Sequence, residues 1–448
     1  MTRARQRPTA DRLLDLAAGL VSRRIFSDEA IYQRELERVF ARCWLFLAHD
    51  AMIPAPGDYV GTFMGEDPVI VCRGTDGQVR ALLNTCRHRG NRVCLFPRGN
   101  AKAFTCAYHG WTYDTAGRLT GVPFHGEAYY GRLPREDWGL IEVPRVEQFG
   151  GLWFGCWDPA APSLAAYLDG MAWYLDKFLL PLEAMGGLEV LESRYQANGN
   201  WKIAAENFAG DHYHTPTTHG SSFKLGLADN YTQLEPAQLE HGPFEIALAH
   251  GHGLGGVYTG DKPYRDDLAV AERLGPEAVA YLQEWYGRLQ ERLRDTPAKP
   301  YSASHWNIFP NLGLVWRSPL RAFNLFHLQP KGPTRLEVWQ WALMPKAAPA
   351  VVKELAWAQN GRGGHFASGF FAQDDAENFD RVTEGSRTLM ARQVPFNYAM
   401  GLEYEGHWPG QEQWDTRGLP GLVGPRFSEH NQRNFYRYWA ERMGLEEA

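Results

Sequence analysis

Two cysteines and two histidines fall into a pattern able to hold metal: Cys86-Arg-His88, a gap of seventeen residues, then Cys106-Ala-Tyr-His109. Thiolate and imidazole suit iron and zinc, and two such pairs on separate loops can close around one centre. A two-iron cluster in which cysteines take one iron and histidines the other uses this donor set, at a higher potential than an all-cysteine cluster. A structural zinc knuckle uses the same residue types, but more often as Cys-x2-Cys or His-x3–5-His pairs. One-residue Cys-x-His with two-residue Cys-x-x-His therefore favours the cluster. Gly90, Gly110 and Trp111 fit tight loops over an aromatic floor. Cys43, Cys72, Cys94 and Cys156 are read as buried apolar residues.

A second constellation lies downstream, Glu206-Asn207-Phe208-Ala-Gly-Asp211-His212-Tyr213-His214-Thr-Pro216-Thr-Thr-His219. On a helix, Asn207, Asp211 and His214 stand at i, i+4 and i+7 and share one face. Pro216 would end that helix, letting His219 fold back toward His214. Two histidines and a carboxylate on one side of an iron leave the opposite positions open for dioxygen. The zinc-hydrolase alternative needs His-Glu-x-x-His, which is absent. The missing carboxylate is sought in Gly369-Phe-Phe-Ala-Gln-Asp374-Asp375, where acids open a helix after an apolar stretch. Read alone, Asp374 and Asp375 are helix N-terminal charges favoured by the macrodipole. A site short of one carboxylate reverses that reading. His212 and Tyr213 are assigned to packing or supporting contacts, and His250, His252 and His365 to polar loops.

These residues need elements to position them. Asp28 to His49 reads as a helix on the spacing of Ile31, Leu36, Val39 and Phe40. Tyr59–Met64, Pro68–Cys72 and Val79–Asn84 read as short strands, the last two joined by a turn at Asp76-Gly77. Another turn, at Asp114-Thr-Ala-Gly117, separates Thr112-Tyr113 from Arg118-Leu119. Leu188 to Ala197 reads as a strand, and Asn200 caps a helix from Trp201 to about Thr215. Val279, Leu282, Trp285, Leu289 and Leu293 mark an amphipathic helix packed on its Val279/Leu282/Trp285 face. Leu312–Trp316, Arg321–Leu328 and Arg335–Met344 are antiparallel strands, the last two joined by Pro-Lys-Gly-Pro. Gly251-His-Gly253-Leu-Gly-Gly256 lacks the strand and helix that a nucleotide-binding fingerprint requires and is read as a flexible loop. The fold class is α+β: a β-rich domain at 45–160 and a larger antiparallel-sheet-and-helix domain, helix-grip-like, at 161–448, preceded by a helical segment at 1–44 that packs on the larger domain.

With 448 residues the chain is long enough for two or three domains, and its 44% hydrophobic and 22% charged residues suit an ordinary globular protein. A net charge of -6 without a Lys/Arg stripe argues against nucleic acid as a partner. No run approaches the ~20 apolar residues of a membrane span. The basic start Met1-Thr-Arg-Ala-Arg-Gln-Arg-Pro has no apolar run after it, so no signal peptide is expected. Six cysteines in a chain this size make no disulfide scaffold, and a cytoplasmic compartment is the expectation.

With both constellations in one chain, the sequence resembles the α subunits of the Rieske-type naphthalene, biphenyl and phenylpropionate dioxygenase group. The likeness includes Tyr32-Gln-Arg-Glu-Leu-Glu-Arg-Val-Phe, Met64-Gly-Glu-Asp-Pro-Val, Asn200-Trp-Lys and His305-Trp-Asn307-Ile-Phe-Pro-Asn311. The resemblance implies one [2Fe-2S] Rieske cluster, with Cys86 and Cys106 on one iron and His88 and His109 on the other. It implies one mononuclear Fe(II) held by His214, His219 and Asp375. Asp211 would then link His214 to His109 of the partner subunit, and Asn207, Phe208, His305, Asn307 and Phe371 would line the substrate pocket. Implied too are addition of both atoms of O2 to a hydrophobic aromatic ring to give a cis-dihydrodiol, NADH-derived electrons from a ferredoxin and/or a reductase, and a small β subunit in an α3β3 assembly or else a homotrimer. A Rieske monooxygenase is the alternative; a pure electron carrier would need neither His214 nor His219. The chain departs from the group at His365-Phe-Ala-Ser-Gly369, where relatives often have Phe-Gly-Pro-Ala-Gly, and at Ala372, where an acid is frequent. Spacing marks no arginine as a carboxylate anchor, so a neutral hydrocarbon is expected.

Overall fold

Alternating apolar runs and glycine turns build the first of two units in a computed structural model that describes residues 12–224, 244–362, 364, 366–413 and 415–445. That unit is Phe40–Tyr167; the other comprises the described residues of Met1–Val39 and Leu168–Ala448. The first unit holds β1 (Leu45–His49), β2 (Asp58–Met64), β3 (Asp67–Arg73), β4 (Val79–Leu83), β5 (Arg98–Asn100), β6 (Ala103–Thr105), β7 (Thr112–Asp114), β8 (Leu119–Gly121), β9 (Arg145–Phe149) and β10 (Leu152–Cys156). They form three antiparallel sheets, β4-β3-β2-β5, β8-β7-β6 and β9-β10-β1. The turn at Asp76-Gly77 joins β3 to β4, with the Gln78 amide donating to Asp76 Oδ1 at 3.1 Å. Tyr59, Ile70, Cys72, Leu82, Phe104 and Tyr113 pack together in its core.

The expected helix over Asp28–His49 is only partly formed. It occupies α1 (Glu29–Glu35), continues as a wide turn over Leu36–Phe40, and gives way to β1, which pairs with β10. Every residue of β1 is buried. A strand buried on both faces shows no alternation, so its apolar run reads equally as a buried helix.

The second unit is built on an eight-stranded antiparallel sheet: β11 (Leu188–Ala197), β12 (Phe244–Ala247), β13 (Gly253–Thr259), β14 (Pro300–Ile308), β15 (Leu312–Trp316), β16 (Phe323–Pro330), β17 (Leu336–Pro345) and β18 (Leu422–Pro425). Its order is β11-β17-β16-β15-β14-β13-β12-β18. The helices that matter below are α2 (Gly170–Glu183), α3 (Trp201–Gly210), α4 (Thr215–Thr218), α5 (Pro276–Arg292), α6 (Phe370–Arg387) and α7 (His430–Met443). The buried stripe of α5 runs through Ala278, Tyr281, Leu282, Trp285 and Leu289, with Val279 at its margin. Among the described residues no helix is long and apolar enough to cross a membrane.

Three local expectations fail. The glycine-rich stretch taken for a flexible loop supplies β13, a buried strand between β12 and β14. A Cβ on Gly253 would lie 2.6 Å from the Ala209 carbonyl, and one on Gly255 would lie 2.1 Å from His305 Nε2. Missing side chains let α3 and the imidazoles press against the strand, so these glycines serve close approach rather than mobility. The helix expected to reach Thr215 stops at Gly210. Gly210 adopts φ 154, and Asn431 of α7 donates to the Ala209 carbonyl at 2.6 Å, satisfying a last-turn acceptor. Pro216, expected to stop a helix, instead stands in the first turn of α4, where its missing N–H costs nothing.

The start of α3 is fixed by burial of charge. Asn200 accepts from the Lys202 amide at 3.0 Å as the N-cap. The Lys202 side chain, fully buried, meets Glu35 of α1 at 2.6 Å. The indole N–H groups of Trp201 and Trp439 also donate to Glu35, each at 2.9 Å. Burial pulls the Lys202 pKa down, and the Glu35 charge works against that. Removing one partner strands the other in a dry interior. Lys202→Met is therefore expected to cost on the order of 3–5 kcal/mol in chemical denaturation, and Glu35→Leu/Lys202→Met much less. Equal losses in the single and double variants would contradict this account.

Candidate metal centres

In the first unit, two loops of the same geometry face one another. The Cys86 amide donates to the Asn91 carbonyl at 2.8 Å, and the Gly90 amide to the Cys86 carbonyl at 2.9 Å. The second loop repeats this, Cys106 to Trp111 at 2.8 Å and Gly110 to Cys106 at 2.9 Å. Gly90 and Gly110 both take positive φ, 74° and 75°, which closes each loop in so few residues. Cys86 and Cys106 are buried, whereas His88 and His109 are partly exposed, so the thiols lie inside and the imidazoles toward the surface. The two imidazoles face each other at 4.5 Å between centroids, and His88 stacks on Trp111 at 5.1 Å. The Tyr113 hydroxyl lies 3.4 Å from Cys86 Sγ, and Asn91 Nδ2 lies 3.8 Å from Cys106 Sγ. Burial opposes ionisation of Cys106, but hydrogen bonds from the Tyr108 amide, Cys86, Asn91 and the His109 amide hold its thiol below the usual range. His88 Nδ1 is buried with no hydrogen-bond partner among the described residues. Two buried thiols and two convergent imidazoles, one nitrogen otherwise unsatisfied, fit a two-iron cluster. Cys43, Cys72 and Cys156 are buried as expected; Cys94 is only partly so.

The second unit brings His214, His219 and Asp375 together. His214 Nε2 lies 3.3 Å from His219 Nε2, and Asp375 Oδ1 lies 3.5 Å and 3.2 Å from those two nitrogens. His214 and His219 bracket the four-residue α4, so one helical turn sets their separation. Asp375 comes from α6. That helix starts at Phe370, which leaves Asp374 and Asp375 in its second turn and no acid in the first. A macrodipole role fades at that distance. Convergence of two imidazole nitrogens and one carboxylate oxygen is the donor set of a mononuclear iron with open positions.

Each imidazole has a carboxylate on its far nitrogen. His214 Nδ1 lies 3.3 Å from Asp211 Oδ2 and 3.4 Å from Asn207 Nδ2; His219 Nδ1 lies 3.1 Å from Asp374 Oδ2. Such partners fix ring orientation and raise ligand basicity. Burial works against charging His214, yet Asp211 and Asp375 lift its pKa to about 9. Asp374 was missed as a contributor because adjacent aspartates compete for one role on paper, while in the helix they reach different nitrogens of different partners.

Comparison with known proteins matches residues 165–445 to the ring hydroxylating alpha subunit catalytic domain and residues 43–144 to the Rieske [2Fe-2S] domain. The chain belongs to the ring-hydroxylating α-subunit family. It is 39% identical over 437 residues to the biphenyl 2,3-dioxygenase subunit alpha of Rhodococcus jostii (strain RHA1), spanning 96% of this chain and 90% of that one. It is 38% identical over 438 residues to the benzene 1,2-dioxygenase subunit alpha of Pseudomonas putida, spanning 96% and 92%. Its fold matches that of naphthalene 1,2-dioxygenase with indole bound in the active site, with a TM-score of 0.81 at 34% identity, covering 96% of this chain and 93% of that one. This ring-hydroxylating α subunit accordingly combines a Rieske [2Fe-2S] domain with a catalytic domain of the His/His/Asp mononuclear iron type.

In this α subunit the His/His/Asp set opens on a narrow cavity of about 60 Å³. Asn207, Phe208, His305 and Phe371, which the resemblance assigned to a substrate pocket, line this cavity together with Tyr195, Arg317, Phe326 and Leu328. Asn307 does not. It is fully buried where β14 runs between Gly253 and Gly313, off the cavity wall. Asp211 faces a different cleft, shared with Glu206, Tyr213 and Asn378. Burial pushes Glu206 up to about 8, with Tyr398 and Tyr436 donating their hydroxyls to it.

Of the remaining histidines, His212 is buried against Glu245 at 3.0 Å and packs on His305 at 4.7 Å between centroids. Burial lowers the His212 pKa and raises that of Glu245. His252 stands in the loop before β13 as expected, but is buried there and accepts from the Phe309 amide at 2.9 Å. Tyr213, assigned to packing or supporting contacts, is 65% exposed, with its ring 6.2 Å from that of Phe427. His365 lies outside the described residues.

Proposed function

We propose that this chain is the oxygenating subunit of a multicomponent dioxygenase that adds both atoms of O2 to an aromatic ring and gives a cis-dihydrodiol. The observation that carries this reading is the convergence of His214, His219 and Asp375 beside a cavity walled by Phe208, Phe326, Leu328 and Phe371. Cys86 and Cys106 would hold one cluster iron and His88 and His109 the other; His214, His219 and Asp375 would hold the mononuclear iron. The two centres, when present, supply a stored electron and a place for O2 beside the ring. This chain's residues do the rest. Phe208 and Phe371 flank the site where a flat ring would rest, Asn207 and Asp211 fix the His214 ring, and Asp374 fixes that of His219.

The segment 1–44 would serve the catalytic domain at 161–448, consistent with the buried Glu35–Lys202 pair, and 45–160 would serve as the electron-carrying domain. Asp211 would bridge His214 to His109 of the partner subunit, which makes oligomerisation part of the reaction. The partners would be a small β subunit in an α3β3 assembly or a homotrimer, and a ferredoxin and/or NADH-dependent reductase, all in the cytoplasm. Incubation with labelled O2, a matched reductase and a panel of aromatics is expected to yield cis-diols carrying two labelled oxygens. A product with one labelled oxygen on every substrate would replace dioxygenation by monooxygenation.

A further inference from the structure

Gly255 stands in the middle of a rung of the large sheet, paired with Glu245 of β12 on one side and His305 of β14 on the other. Residues opposite one another across a rung present their side chains to the same face. Strands two places apart lie roughly 10 Å from each other, so their side chains meet only where the middle position leaves room. Gly255 leaves it. A Cβ there would collide with His305 Nε2 and lie 2.6 Å from Glu245 Oε2. His212, in the link between α3 and α4, completes the group. Its Nδ1 lies 3.0 Å from Glu245 Oε1, and a Cβ on Gly256 would lie 2.5 Å from its Cε1. Two imidazoles and a carboxylate from three separate elements thus bring their ligand atoms within 4.8 Å of one another, and share none with the His214/His219/Asp375 set.

Hydrogen bonding around His305 decides which of its nitrogens carries the proton. The Ser304 hydroxyl donates to the Gly255 carbonyl at 3.3 Å. The same oxygen lies 2.9 Å from His305 Nδ1 and therefore accepts from it. Nε2 is left with a bare lone pair, buried and without a hydrogen-bond partner among the described residues. A neutral imidazole held by its other nitrogen is a prepared metal ligand. Glu245 is supported in the same way, with Asn431 Nδ2 donating to Oε2 at 3.4 Å. Glu245 and His212 are both buried, and charged groups persist in a dry interior where they are paired or bind metal.

We infer that His212, Glu245 and His305 form a second cation site in the catalytic domain, one for zinc, separate from the mononuclear iron site. Zinc accepts two imidazoles and a carboxylate and keeps a fourth position for water. At such nitrogen and oxygen donors it binds more tightly than ferrous iron. Zinc bonds of about 2.0–2.2 Å draw the three donors inward. The cation takes the place of the proton between His212 Nδ1 and Glu245 Oε1, which leaves to solvent. His305 also lines the cavity beside the iron ligands, so bound zinc fixes that part of its wall.

The test uses the full-length, iron-loaded protein, dialysed without oxygen against zinc and then against zinc-free buffer. Metal analysis is expected to find one zinc per chain beside the iron, and X-ray absorption at the zinc edge to show imidazole and oxygen donors. Glu245→Gln and His212→Leu should each weaken zinc binding by more than ~10²-fold, beyond the range for an outer partner of a ligand. Ser304→Ala, which frees the His305 ring, should weaken it by about 10–100-fold. Unchanged iron content and cluster spectrum show that a variant has folded. Where one has not, anomalous scattering at the zinc edge from wild-type crystals decides, a peak among the three side chains supporting the site and its absence overturning it. Wild type that retains no zinc overturns the proposal, as does zinc retained equally by every variant. Zinc lost in Asp375→Ala but kept in Glu245→Gln places the cation at the iron ligands instead and overturns it too.

Discussion

Asp375→Ala is expected to abolish turnover while leaving the Rieske spectrum intact, and to lower iron from three atoms per chain to two. Asp375 is the only carboxylate whose oxygen reaches both His214 and His219 among the described residues, at 3.5 Å and 3.2 Å. Two imidazoles alone form an incomplete donor set. A metal's electrostatic contribution is several kcal/mol, which converts to at least ~10³ in rate. The neighbouring Asp374 gives an internal control. It contacts only the far nitrogen of His219, at 3.1 Å, so Asp374→Ala should weaken iron binding by about 10–100-fold rather than remove it. Metal analysis and turnover on the same preparations decide this. Equal iron content in wild type and Asp375→Ala would exclude Asp375 as a ligand.

Asp211→Asn is expected to separate metal binding from electron delivery. The side chain of Asp211 holds His214 by its ring nitrogen at 3.3 Å and by its backbone amide at 3.2 Å, yet it is not one of the three convergent donors. Burial alone would raise its pKa, but His214 holds it below the ordinary carboxylate value, so it carries charge at neutral pH. An asparagine keeps the shape and loses the charge. Both metal centres should remain loaded and the cluster should still accept an electron from the reductase. Oxidation of the reduced cluster by O2 with substrate present should slow by ~10²-fold or more, the upper range for loss of a ligand's carboxylate partner. Stopped-flow absorbance of the cluster measures that step directly. Wild-type rates with wild-type iron content would remove Asp211 from the electron path.

Much of this was legible before any fold was known. Cys86-x-His88 and Cys106-x-x-His109 are local, since each pair sits in one loop whose closure depends on its own glycine, and the pattern therefore survives in one dimension. His214 and His219 are legible for the same reason: one short helical turn spans them. Strands such as Leu188–Ala197 and Leu312–Trp316 were read to the residue because turn residues bound them tightly. The geometry expected of α3 was partly wrong. The helix ends before Asp211, and the chain turns at Gly210 to bring Asp211 onto His214.

The sequence by itself determined which chemistries were available: sulfur and imidazole for a cluster, two histidines and a carboxylate for an iron. Residue type and short-range spacing decide these, and both are properties of the chain. Tertiary structure alone decided the assignments that depend on distant segments. It brought α6 to α4 so that Asp375 and Asp374 meet different histidines, withdrew Asn307 from the cavity, turned a glycine run into a strand beneath α3, and put Arg317 on the cavity wall. Each is fixed by sheet order and helix packing between residues scores of positions apart, where no local periodicity carries the information.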